Sequence, residues 1–157
     1  MDFRSAETVL AGRIVNDGVM GGVSQSALRS DPEGVFFEGM VSLANNGGFA
    51  SMRFPISFPP LTQTLELVAR GESKRYQFIL RTEKAPQVTY ASDFSVASTW
   101  QPHRFKFEEF KPSFRGRSVQ APALTFSDVS EFGILIADQQ EGKFRVQIRT
   151  LTALVSQ

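Results

Sequence analysis

Apolar and polar residues alternate along most of the chain. The run from Phe144 to Arg149 changes character at every residue, as expected for a strand with one buried face. No window carries an apolar stripe at helical spacing over the length of a helix. The pattern therefore predicts an all-β chain, with further strands at 23–29, 35–43, 49–54, 64–70, 75–81, 87–94, 104–108 and 132–137.

Glycine and proline separate these strands. The chain has 12 glycines and 8 prolines, at a spacing that is typical of sandwiches and barrels. Residues 71–74 suit a hairpin, and Asn46-Gly47 favours a tight turn between the strands that flank it. Residues 111–130 contain two prolines and are predicted to form one extended loop. We expect a β-sandwich or jelly roll that forms a single domain over residues 1–157.

Composition narrows the function classes. The 17 Lys and Arg residues against 16 Asp and Glu residues give a formal charge of +1, so no overall field recruits nucleic acid. The absence of cysteine excludes disulfides and thiolate metal sites. No run reaches the roughly 20 apolar residues that a membrane-spanning helix needs, and the first residues resemble no targeting segment. We expect a cytoplasmic location and no cofactor.

The most distinctive segment is the glycine-rich loop at residues 16–24. Its composition permits positive φ and close backbone approach. One interpretation is a folded corner of the sandwich with Met20 tucked beneath it; the other is a ligand or partner surface. A phosphate loop is disfavoured, because no Gly-Lys-Ser/Thr and no helix follow. The candidate binding residues here are Asn16, Asp17, Gly18, Met20, Gly21, Gly22 and Ser24.

A second candidate is the basic segment around Arg115 and Arg117. Residues 101–118 contain five Lys or Arg residues and two Glu residues, a local excess of +3. The two arginines either grip a carboxylate or phosphate bidentately or anchor their loop to Asp17 or to backbone carbonyls. With the glycine-rich loop they form one recognition surface in this interpretation. The segment is too short to indicate a nucleic-acid surface.

Catalytic groups are sparse. His103 is the single histidine, and it shares strand parity with Phe105 and Phe107, which favours a packed imidazole. Glu108 and Glu109 are adjacent, so on a strand they point to opposite faces. No acids show a metal-ligand spacing on a recognisable scaffold. We therefore expect no metal site and no enzymatic activity.

The aromatic residues leave two alternatives open. Trp100 with Tyr76 and Tyr90 could form a platform on which a sugar stacks. A single tryptophan more often fills the core of a sandwich. Carbohydrate binding is accordingly retained as an alternative function.

Several segments together resemble the complex I intermediate-associated protein 30 family. They are Asn16 to Ser24, Phe37-Glu38-Gly39 to Ser42-Leu43, Asn46-Gly47-Gly48-Phe49-Ala50-Ser51, Arg70-Gly71, Tyr76, Trp100, Phe110 to Arg117, and Gly133 to Gly142-Lys143-Phe144. The resemblance implies a galactose-binding-like jelly roll and a role in assembling a multi-subunit complex such as complex I. It also implies protein partners, namely respiratory-complex subunits or assembly intermediates, and it adds Asn46 to the candidate binding residues.

Overall fold

A computed structural model describes residues 1–155, apart from the side chains of Val19, Met20 and Asn46. Short 3₁₀ turns occupy Asp17–Met20, Ala44–Asn46, Phe107–Glu109 and Phe126–Asp128, and a five-residue helix, α1, spans Ala6–Leu10. The strands are β1 (Arg13–Ile14), β2 (Gln25–Arg29), β3 (Val35–Val41), β4 (Ala50–Pro55), β5 (Thr62–Gly71), β6 (Arg75–Thr82), β7 (Thr89–Ser95), β8 (Gln101–Lys106), β9 (Lys111–Phe114), β10 (Arg117–Ser118), β11 (Val129–Ile136) and β12 (Gly142–Val155). All nine predicted strands are thus present.

The strands form two antiparallel sheets. One has seven strands in the order β1-β4-β11-β6-β7-β9-β10, and the other has five in the order β2-β3-β12-β5-β8. The strand β12 lies at the centre of the five-stranded sheet, where it pairs with β3 over residues 142–148 and with β5 over residues 146–155. The prediction of an antiparallel β-sandwich is confirmed.

The inward-facing residues of both sheets build one core. Phe78 on β6 lies near its centre, with ring centroids 4.7 Å from Phe105 and 5.8 Å from Phe132. Phe105 belongs to the opposite sheet, so this stack joins the two layers. Stacked and edge-on ring pairs of this kind stabilise a core beyond the area they bury.

Two predicted local turns are wrong. β5 and β6 lie in different sheets, and so do β3 and β4. The segments 72–74 and 42–49 therefore cross between the layers instead of closing hairpins. The alternation is the same whether two consecutive strands pair at their edges or face each other across a core, so the local pattern could not separate these cases.

The segment 111–130 is not one extended loop. It contains β9 and β10, which pair as a hairpin and extend the sheet from β7. The two residues between them, Arg115 and Gly116, have φ angles of 49° and 81°. Positive φ at both central residues is the geometry that closes a two-residue hairpin.

Candidate functional site

Asp17 organises the glycine-rich loop. It begins the 3₁₀ turn that follows β1, and only 1% of its surface is exposed. Its Oδ1 accepts a hydrogen bond from the Ser24 N–H at 2.9 Å. Its Oδ2 accepts from the Ser24 hydroxyl at 2.5 Å and from the N–H groups of Gly48 and Phe49 at 2.7 and 3.3 Å. The carboxylate thereby joins the loop to the start of β4.

The charge of Asp17 is stabilised by these donors. Burial opposes ionisation and taken alone would raise the pKa of the carboxyl group. The hydrogen bonds from Ser24, Gly48 and Phe49 together outweigh burial and hold the pKa below its usual value of 3.8. Donors that bind the charged form favour it in this way.

The rest of the loop is closely packed around this carboxylate. Asn16 Oδ1 accepts hydrogen bonds from the Ser26 hydroxyl at 2.8 Å and from the Ser51 N–H at 3.3 Å. A Cβ at Gly22 would lie 2.3 Å from Cγ of Asp17, and one at Gly47 would lie 2.5 Å from its Oδ2. The loop is thus a closed corner, in which the side chains of Asn16 and Asp17 form hydrogen bonds with the loop and the adjacent strands and are not free to bind a ligand.

In the described part of the loop, the tip at Gly18 and Gly21 is exposed, and so is Val23. A Cβ at either glycine would have no neighbour within 4 Å. The expected placement of Met20 beneath the loop concerns a side chain outside the described residues, as does the candidate Asn46. A role for the tip in partner binding stays a prediction.

The structure does not bring Arg115 and Arg117 to this loop. Both are exposed on the β9–β10 hairpin, and the Arg115 guanidinium lies 5.4 Å from the centre of the Phe114 ring. The hairpin ends the seven-stranded sheet at β10, whereas the glycine-rich loop follows β1 at the other edge. Six strand spacings amount to about 29 Å along the sheet. The prediction of one shared recognition surface is therefore wrong.

The aromatic platform is also not assembled. Tyr76 and Tyr90 are 1% and 3% exposed in the core. Trp100 is partly buried and lies outside the core cluster, just before β8 and next to Arg70 of β5. Trp100 lies on the outward-facing side of the five-stranded sheet. It therefore neither forms a platform with the tyrosines nor fills the core, and both predictions for Trp100 are wrong.

That outward-facing side carries a first cluster around Phe36. The guanidinium carbons of Arg29 and Arg145 lie 4.2 and 5.6 Å from the centre of the Phe36 ring. Glu38 accepts a hydrogen bond of 2.8 Å from Nε of each arginine. These bonds, of which the one from Arg29 has the larger effect, hold the pKa of Glu38 below 4.5, although partial burial would raise it.

A second cluster repeats this design around Trp100. The guanidinium carbons of Arg70 and Arg149 lie 4.4 and 4.0 Å from the centre of its ring. Glu33 pairs with Nη2 of Arg70 at 2.9 Å and with Nη2 of Arg149 at 4.0 Å. Cation–π contacts of this kind favour guanidinium groups over tryptophan. We call the two clusters together the arginine–aromatic face.

Gln147 connects the two clusters. It lies on β12 between Phe36 and Arg70 in the register of the sheet and is 1% exposed. Its Oε1 accepts a hydrogen bond of 2.9 Å from Nε of Arg70, and its Nε2 donates at 3.2 Å to Asp31 and to the Gly34 carbonyl. A buried amide with these partners fixes the spacing of the clusters.

Two shallow grooves run beside these clusters. The larger encloses about 590 Å³ and the smaller about 230 Å³. Glu72 and Arg145 line both grooves, and Met40 and Lys143 line the larger one alone. Of this face, sequence reasoning proposed Trp100 alone as a binding residue and missed the arginines, glutamates and Phe36 around it. With the groove residues Met40 and Lys143 included, the arginine–aromatic face comprises Arg29, Glu33, Phe36, Glu38, Met40, Arg70, Trp100, Lys143, Arg145, Gln147 and Arg149.

His103 offers little chemistry. Its ring packs 5.2 Å from Phe94, and burial lowers its pKa. Its inner-face neighbour Phe105 is buried as expected, but Phe107 is 42% exposed because the strand ends at Lys106 and a 3₁₀ turn follows.

Among the described residues, no group of three or more His, Asp or Glu side chains could hold a metal ion. No helix within residues 1–155 combines the length and apolar character needed to cross a membrane.

Comparisons with known proteins identify the family and the fold. The family model described as complex I intermediate-associated protein 30 matches residues 1–148. An uncharacterized protein of Schizosaccharomyces pombe is 28% identical over 168 residues, which cover 90% of this chain and 77% of that relative.

Solved structures with a similar fold include carbohydrate-binding modules. The family 11 module of a cellulosomal cellulase of Clostridium thermocellum superposes with a TM-score of 0.70 at 13% identity, covering 100% of this chain and 95% of the module. The family 11 module from the same organism, in complex with a β-1,3-1,4-mixed-linked tetrasaccharide, gives 0.69 at 12% identity over 100% and 96% of the chains. The prediction of a galactose-binding-like jelly roll is confirmed.

Proposed function

Since the chain belongs to the complex I intermediate-associated protein 30 family, we propose that it is a non-catalytic protein-binding module that assists assembly of a multi-subunit complex. Complex I is the client that the family description suggests. The partner would be a subunit or an assembly intermediate. The arginine–aromatic face is the surface that we assign to this contact.

The observation that carries this proposal is the composition of that face. Arginine, tryptophan, phenylalanine and methionine are enriched where proteins bind proteins. Here Phe36 and Trp100 each carry two guanidinium groups, and each pair is held by a glutamate. Arginines that are already ordered lose less side-chain entropy when they bind a partner.

The same geometry disfavours a sugar on these rings. A sugar binds an aromatic residue by stacking on its face, and guanidinium groups already contact the faces of Phe36 and Trp100. A stacking sugar would have to displace them and break their bonds to Glu38 or Glu33. A partner protein can instead offer carboxylates to the free donors of the arginines, which suit bidentate recognition.

The test uses two matched double variants of the tagged chain. Arg70→Gln with Arg145→Gln removes two charges from the arginine–aromatic face. Arg115→Gln with Arg117→Gln removes two charges from the β9–β10 hairpin. Both are used to capture complex I subunits from cells under gentle conditions, and captured subunits are quantified by mass spectrometry. We expect the face variant to lose at least about tenfold in capture, as hot-spot arginines do, while the hairpin variant captures like the unmodified chain.

A second readout tests the assembly role. Cells lacking the chain should accumulate incomplete complex I on native gels, and the hairpin variant should restore assembly where the face variant does not. Thermal unfolding of both variants checks that each is folded. Loss of capture in the hairpin variant alone would contradict our choice of surface. Failure of the unmodified chain to capture any subunit, together with normal assembly without it, would contradict the function.

Carbohydrate binding remains the second candidate. The larger groove, at about 590 Å³, has a size common for small-ligand sites, and modules of this fold bind sugars. Calorimetric titration with β-1,3-1,4-mixed-linked tetrasaccharide tests this. Our proposal predicts no saturable heat, and saturable binding that the face variant abolishes would favour the sugar instead.

A further inference from the structure

The outer face of the seven-stranded sheet contains a buried arginine that the proposed protein contact does not use. Arg53 lies on β4, between Arg13 of β1 and Gly133 of β11, and Ile79 of β6 follows in the same row. The side chain of Arg53 is 9% exposed. Gly133 has no side chain, so nothing from that position separates Arg53 from Ile79.

The guanidinium of Arg53 is poorly satisfied. Its Nε donates one long hydrogen bond, 3.4 Å, to the Ser51 hydroxyl oxygen. Its Nη1 lies 3.8 Å from Oε1 of Glu131, beyond hydrogen-bond distance. The Oε1 atom is itself buried and without a hydrogen-bond partner. A guanidinium has five N–H donors, and among the described contacts Arg53 uses one of them, although buried polar groups are normally paired.

The charges around Arg53 are unbalanced as well. Arg13 binds Oε2 of Glu131 at 2.8 Å, and Arg81 lies opposite Glu131 in the register of the sheet. The Nη2 of Arg81 donates a hydrogen bond to the Pro86 carbonyl, so Arg81 adds positive charge near Arg53 while Glu131 pairs with Arg13 and Arg53. Burial, followed by repulsion from Arg81, lowers the pKa of Arg53 to about 10. Arg53 stays charged at neutral pH, and an added anion would relieve the repulsion.

We propose that Arg53, with Arg13 and Arg81, forms a binding site for a single oxyanion, the carboxylate or phosphate group of a small molecule. The planar guanidinium matches both groups with two parallel hydrogen bonds. Only 8% of Arg53 is exposed, and neither terminal nitrogen is fully enclosed. A small anion would therefore reach these nitrogens from the surface of the sheet. It lies on the opposite sheet from the arginine–aromatic face and is independent of it.

The test is an NMR titration of the full chain at constant ionic strength, with inorganic phosphate in one series and acetate in another. Amide shifts of Gly133 and Ile79 should saturate with at least one anion. Saturation by phosphate alone assigns a phosphate ligand, and saturation by acetate alone or by both assigns a carboxylate or a general oxyanion. Arg53→Gln should weaken binding by about 10- to 100-fold, as expected for lost charge-assisted hydrogen bonds. Arg117→Gln, on the distant hairpin, is the matched control and should leave binding unchanged.

The variant Glu131→Gln tests the proposed anion site even if Arg53→Gln does not fold. It removes the carboxylate that competes for Arg53, so it should bind the anion several-fold more tightly. If Arg53 is instead satisfied by small movements of Glu131, this variant should lose stability and bind no anion. Absence of saturable shifts at Gly133 and Ile79 with both anions, or unchanged or weaker binding in Glu131→Gln, would overturn the proposal.

Discussion

Asp17→Asn is the sharpest test of the corner that closes the sandwich. The substitution keeps the shape of the side chain and replaces one acceptor oxygen with an NH₂ group. With the remaining oxygen at the Oδ2 position, three donors from Ser24, Gly48 and Phe49 are kept. The new NH₂ group then faces the Ser24 N–H, which loses its acceptor. The other orientation leaves more donors unsatisfied.

The magnitude follows from these bonds. A buried N–H without an acceptor costs about 1–3 kcal/mol, and the bonds that remain lose their charge assistance, which roughly doubles the strength of a hydrogen bond. Because Asp17 is 1% exposed, solvent does not screen these effects. We expect the free energy of unfolding to fall by roughly 2–4 kcal/mol, a large part of the 5–15 kcal/mol typical of a domain.

The pH dependence provides an internal check. The pKa of Asp17 is lowered in the folded chain, so the carboxylate contributes stability that is fully present above 3.8 and is lost as the pH falls through the folded-state pKa. Urea unfolding at pH 7 and at several values below 3.8 should therefore show the gap between the two proteins shrinking with acid. Asp93→Asn, at an exposed position, is the control. A loss below about 1 kcal/mol at pH 7, or a gap that does not change with pH, would refute the reasoning.

Three further predictions concern stability and use urea unfolding. Gly22→Ala places a Cβ 2.3 Å from Cγ of Asp17 and should cost about 1–3 kcal/mol, whereas Gly18→Ala, in open space, should stay within about 0.5 kcal/mol. Phe78→Ala, at the centre of the core, should cost about 3–5 kcal/mol, and Phe114→Ala, at a ring 42% exposed, far less. Glu38→Gln should cost at most about 1 kcal/mol. Because the pKa of Glu38 is lowered, that small loss should disappear as the pH falls below 4.5. Equal effects within either matched pair would contradict the packing described.

The sequence predicts the strands well because their signal is local. Alternation along β12, for example, needs no knowledge of which strand it pairs with. Sheet assignment is different, since it depends on contacts between segments far apart in the chain. The predictions of hairpins at residues 71–74 and around Asn46-Gly47 were wrong for that reason. The short strands β9 and β10 were missed because two-to-four-residue edge strands carry too few positions to show a period.

The sequence contains weaker signals of the arginine–aromatic face than of the strands. Phe36 and Phe37 are adjacent in a strand, so one of the two rings must point outward. Arg145 and Arg149 occupy polar positions of the clearest strand, but charged residues on the solvent-facing side of a strand are common and do not by themselves indicate a binding site. Only the pairing of β12 with both β3 and β5 brings these arginines beside Phe36 and Trp100. No alternation within one strand contains that information.

We propose that the contacts of the two outward-facing rings, and not the fold, distinguish this chain from a sugar-binding module. Folds host many functions, and function depends on the site. At Phe36 and Trp100 the guanidinium groups that cover the rings are fixed by Glu38 and Glu33 and spaced by the buried Gln147. A sugar would gain a ring face only by breaking an ordered ion pair, whereas a protein carboxylate gains arginine donors that are already in place. The contacts of these rings therefore favour a protein partner on a scaffold that resembles sugar-binding modules.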